Sequence, residues 1–149
     1  MAYSPVGRSR CAAVAELFSL GVMDTRGTIF VRPPASDQSL SDFASHLFGW
    51  LGIPRFTDEC FGGWKVDIER FIGSAVGITV EIRANNKRVL EQYPFIIYLS
   101  PQGTNMAADY LVQHAHTLAW RLSRDGFCCF VPKDIATVRS EQDGMIYDA

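Results

Sequence analysis

The stretch GITVEIRA alternates apolar and polar residues, with Ile78, Val80 and Ile82 on one side and Thr79, Glu81 and Arg83 on the other. A period of two predicts a strand with one buried and one wet face, which belongs to an antiparallel sheet. WKVDIERFIG carries the same alternation, with Trp64, Val66 and Ile68 against Lys65, Asp67 and Glu69. TIFVR, residues 28–32, is a short β-branched and aromatic run closed by Pro33-Pro34, which cannot continue a ladder. PFIIYLS (94–100) is apolar on both faces apart from Tyr98 and predicts a central strand. FCCFV (127–131) predicts a last buried strand stopped by Pro132.

Helical periods separate these runs. Ser39 and Asp42 have capping-box spacing, and Leu40, Phe43, Leu47 and Leu51 then share one face until Gly49 or Gly52 ends the helix. Asn105 caps a longer helix from Met106 to Asp125, with Gly126 as its left-handed terminator. An amphipathic N-terminal helix is expected from Ser9 to Gly21, with Val14, Leu17, Phe18 and Val22 at helical spacing. IPRFTDECFGG reads as a loop, Asn85-Asn86 as a turn tolerant of positive φ, and the acidic end SEQDGMIYDA as a surface tail.

The order helix, strand, helix, three strands, helix, strand predicts an α+β fold. Its antiparallel sheet carries the helices on one face, ferredoxin-like or a variant with an extra strand. One domain spans 1–149: an N-terminal extension over 1–22, a core over 28–135 and a tail over 136–149. Met23, just before the first strand, is a second candidate start.

Composition narrows the function classes. A net charge of −2, from 14 basic and 16 acidic residues, excludes an electrostatically driven grip on nucleic acid. No run reaches the ~18 apolar residues of a membrane span. Glu16 interrupts the apolar stretch after Arg8 and Arg10, so no export signal is read and a cytoplasmic chain is expected. Cys11, Cys60, Cys128 and Cys129 form no C-x-x-C pair, and the adjacent pair would face opposite sides of a strand. They read as reduced, largely buried thiols.

HAHTLAW, residues 114–120, is the nearest approach to a chemical motif. On a helix, His114 and His116 diverge by about 200°, whereas chelation wants i,i+4 spacing. Cys60 has no basic partner beside it, and Asp58 and Glu59 oppose a thiolate. No G-x-S-x-G or phosphate-loop pattern occurs. No catalysis, cofactor or metal is therefore expected, although an enzyme using Cys60 or His46 stays open if the two share a pocket.

Ala107, Leu111, Ala115, Leu118 and Leu122 define the buried stripe of the long helix, and Trp120 falls about 180° from Leu111 with Gln113, His116 and Arg124. Tryptophan with arginine is the composition of an interface anchor, while a tryptophan resting under the N-terminal helix or the tail is the structural alternative. Trp50 and Trp64 raise the same question. Asp67 and Glu69, with Glu81, could add an acidic strand surface.

FGGWKVDIERFIGSAVGITVEIRANN, YPFIIYLSP and ADYLVQHAHTLAWRLSRDGFCCFVP together resemble small bacterial immunity proteins of polymorphic or contact-dependent toxin systems. The matching residues are Gly77, Ile78, Val80, Ile82, Tyr93, Pro94, Phe95, Gly126, Phe127 and Val131, over roughly residues 28–135. The resemblance implies stoichiometric neutralisation of a cognate toxin protein, without catalysis. Homodimerisation is also open. The rival expectation is a small-molecule-binding regulatory α+β module.

Overall fold

The structure, a computed structural model, describes residues 27–53, 57–62, 67–75, 77–103 and 108–148. The predicted N-terminal helix, Trp64 and the Asn105 cap lie outside these residues. Seven antiparallel strands form one sheet: β1 (Gly27–Arg32), β2 (Thr57–Gly62), β3 (Asp67–Ala75), β4 (Ile78–Ala84), β5 (Phe95–Pro101), β6 (Cys128–Pro132) and β7 (Gly144–Tyr147). Their order is β2-β3-β4-β5-β1-β6-β7. Helix α1 (Leu40–Trp50) follows β1 and α2 (Ala108–Arg124) joins β5 to β6.

The inner strands β4-β5-β1-β6 have ferredoxin-like order, with a helix in each crossover, and both helices lie on one face. The fold is α+β. Three strands extend that inner sheet where one extra was expected. β2 forms from the segment read as a loop, and β7 from the segment read as a tail. TDECFG has weak strand character, yet its six residues pair in continuous register with β3, from Thr57↔Ile72 to Gly62↔Asp67. Tertiary pairing overrides propensity here.

Both helices end in the same way. Gly52 and Gly126 take positive φ of 74° and 94°. The next amide bonds back five residues, from Ile53 to Phe48 O (2.9 Å) and from Phe127 to Leu122 O (3.2 Å). This Schellman geometry satisfies last-turn carbonyls and turns an apolar residue inward. Ile53 and Phe127 are accordingly buried. At the start of α1, Ser39 accepts from the Asp42 amide at 3.0 Å, the half of the capping box that the Ser side chain supplies.

The helix-side core centres on Phe43, which is fully buried, stacked on Phe95 (5.1 Å between centroids) and tilted against Phe127 (5.3 Å). A second cluster fills the opposite face, where Phe30, Tyr93 and Phe130 meet at 6.1–6.4 Å. Leu90 and Val138 from the connecting segments cover it. The wet face expected on β4 is therefore largely dry. Glu81 is only 8% exposed and lies 3.5 Å from Arg70 and 3.8 Å from Arg83, whose guanidinium stands over Tyr98 at 4.6 Å. A carboxylate flanked by two arginines contributes nothing to an acidic surface, which corrects that expectation for Glu81 alone.

The turn at 85–94 also differs. Asn85 does not use positive φ; among the described non-glycine residues only Leu90 does, at 57°. The Asn85 amide instead donates to Leu90 O (3.0 Å) and Tyr93 O (2.8 Å), and its oxygen accepts from the Lys87 amide (3.1 Å). A connection of this length needs internal hydrogen bonds more than a two-residue turn conformation.

Candidate functional site

The helix period of α2 buries Leu111, Ala115, Leu118, Ala119 and Leu122 on the sheet. One hundred degrees per residue then carries Trp120 outward, where 52% of its surface remains exposed. Arg124, one turn on, holds its guanidinium 5.5 Å above the Trp120 ring. Gln113 is exposed on the same helix. His116 is half-buried, because its Nδ1 lies 2.8 Å from the Tyr147 hydroxyl of β7. The Tyr147 hydroxyl is protonated at neutral pH and able to donate to that nitrogen, and burial raises its pKa further above the ordinary value.

A second tryptophan–arginine pair sits beside the first. Trp50, the last residue of α1, is 40% exposed, and the Arg121 guanidinium of α2 covers its ring at 5.0 Å. Arg121 is held by Asp125 at 2.9 Å, and the other Asp125 oxygen is 3.8 Å from His46 Nε2. His46 in turn packs on Phe127, 5.4 Å between rings. The ends of α1 and α2 thus carry two exposed indoles, each under a guanidinium, and the Asp125 carboxylate lies between Arg121 and His46. Exposed cation–π pairs of this kind contribute about 0.5–1 kcal/mol each, so they orient the rings more than they stabilise the fold.

Other sequence-predicted residues fall elsewhere. Asp67 and Glu69 lie on β3, opposite Gly62 and Cys60 in the ladder, and their side chains are outside the description. They belong to the far side of the sheet order from β7 and are not brought to the tryptophan pairs by strand pairing. Cys60 lies on β2 rather than in a loop. Cys128 and Cys129 are free, buried, and divided between the two cores as strand alternation requires. Burial pushes the Cys129 thiol pKa up, with a further contribution from Cys128, so it is a poor nucleophile.

His114 and His116 do not meet on one face. The His114 ring stands edge-on to Tyr110 at 4.3 Å, whereas His116 turns to Tyr147. Among the described residues no three His, Cys, Asp or Glu side chains converge to hold a metal ion. No described helix is long and apolar enough to cross a membrane. Arg121, Asp125 and Tyr147 take part in this arrangement without having been singled out from the sequence. Asp125 at i+4 from Arg121 was the one signal available.

Comparison of the chain with protein-family models, with curated proteins and with solved structures finds no match to any of them.

Proposed function

We propose that this chain is a protein-binding domain that neutralises a cognate toxin stoichiometrically, as an immunity protein does, using the exposed ends of helices α1 and α2. The observation that supports this most is the doubled tryptophan–arginine arrangement, Trp120 with Arg124 and Trp50 with Arg121. Binding energy at protein interfaces concentrates on tryptophan, tyrosine and arginine anchors, and large exposed indoles on a well-packed domain offer that energy without unfolding anything. Stacked guanidiniums keep the indoles presented outward and add donors for carbonyl or carboxylate groups on the partner. His116 and Gln113 extend the same helix face. The class of partner, a toxin domain, comes from the resemblance of residues 28–135 to immunity proteins, and the cytoplasm is the compartment such a role requires.

The experiment is co-expression with the product of the adjacent gene. A stable one-to-one complex, and rescue of a host from that product's toxicity, are the expected results. Absence of both a complex and protection would refute the reading.

A further inference from the structure

Among the described residues, strand β7 ends the sheet with an edge unlike the other. β2, at the opposite end, carries Asp58 and Glu59 in its sequence, and charged residues on an edge strand oppose pairing with another chain. β7 is GMIY: it has no charge, and Met145 and Ile146 are 53% and 45% exposed. Uncharged, apolar edge strands are templates for pairing with another chain.

The direction of its outward backbone groups follows from the ladder. The Lys133 amide donates to Asp143 O at 2.9 Å, so the pair 133↔143 is hydrogen-bonded. Antiparallel pairs alternate, and the register Pro132↔Gly144, Phe130↔Ile146 continues from it. Gly144 and Ile146 therefore turn their amides and carbonyls away from β6. Pro132, which has no amide to donate, needs none toward β7 at this position.

We propose that β7 pairs with β7 of a second copy of this chain, making an isologous dimer with a continuous antiparallel sheet. A two-fold axis through Ile146, perpendicular to the sheet, places Ile146 against its own copy as a hydrogen-bonded pair. Met145 then stands opposite the second copy's Tyr147, on the helix side. In that register Asp148 faces Gly144 rather than its own copy. Self-pairing of one strand about a two-fold axis is antiparallel by symmetry, which is the sense of every pair already in the sheet. This inference does not rest on the proposed toxin binding at the helix ends, although Tyr147, bonded to His116, borders both surfaces.

The test is the oligomeric state of the full chain by light scattering and sedimentation across the micromolar range. The wild-type chain is expected to be a concentration-dependent dimer. Ile146→Lys and Ile146→Pro should each weaken it at least tenfold, because the first places charge on charge and the second removes an outward amide without touching the bonds to β6. A wild-type monomer at all concentrations, or a dimer that survives in both variants, overturns the proposal. Should both variants misfold, hydrogen exchange of the wild-type Ile146 amide decides. Protection lost on dilution supports the dimer. Fast exchange at high concentration overturns it, and so does protection independent of concentration, which would assign the edge to cover within one chain.

Discussion

Replacing Gly144 with alanine should release β7 while leaving the rest of the sheet folded. A Cβ at this position would collide with the Val131 carbonyl oxygen and come within 2.7 Å of both the Phe130 ring and the Pro132 Cα. Two of these three obstacles are backbone atoms of a strand held on both sides, so they cannot move aside. Forcing a methyl into packed surroundings costs about 1–3 kcal/mol. Against this stands what fixes a four-residue strand: its ladder to β6, the Tyr147–His116 bond, the packing of Tyr147 on the helix-side core, and the turn at 140–143, where Ser140 and Asp143 cap one another and Glu141 accepts from Tyr93 and Gln92. Each net hydrogen bond contributes about 0.5–1.5 kcal/mol, so the clash is of the same size as the local stability. Amide exchange of residues 145–147 should accelerate strongly, and Tm should fall by about 2–12 °C at roughly 2–4 °C per kcal/mol. Unchanged exchange at 145–147 would show that β7 does not approach β6 as closely as described.

Phe43→Ala removes the ring between Phe95 and Phe127 and should cost about 3–5 kcal/mol in urea denaturation; a loss below about 1 kcal/mol would mean that α1 is not seated on the sheet. Tyr93 is expected to govern the alkaline limb of stability. Burial, then bonds with Cys128 and Glu141, raise its pKa above the ordinary value of about 10, so the folded chain keeps a proton that the unfolded chain releases. Its contribution is therefore full below about pH 10 and declines as pH rises further. Tyr93→Phe should flatten that decline, at a cost of about 1 kcal/mol near neutrality for the lost 3.0 Å bond to Glu141. Denaturation midpoints between neutral and alkaline pH would show this, and an alkaline limb identical in the variant would refute it.

The residues with clean periodicity were legible in the sequence. Ile78, Val80 and Ile82 face the helix-side core, Gly52 and Gly126 end the helices, and the stripe of α2 leaves Trp120 outside. What escaped was decided by partners distant in the chain. β2 is a strand because β3 lies beside it, and GMIY in the tail is a strand because β6 offers an edge and Gly144 permits the approach. Glu81 reads as a wet-face residue in its own strand, but Arg70 enters from β3 and the strand neighbour Arg83 folds over Tyr98 of β5. The pairing of Trp50 with Arg121 likewise joins residues 71 positions apart, which no local pattern encodes.

The claim that the helix ends form the partner-binding surface meets its most direct test in the affinity of Trp120→Ala and Trp50→Ala for the partner isolated by co-expression. Truncating an anchor typically costs 2 kcal/mol or more, about thirtyfold in Kd. Each variant is expected to lose at least that much while retaining wild-type circular dichroism. Wild-type affinity in both folded variants would contradict the account and move the interface elsewhere on the domain.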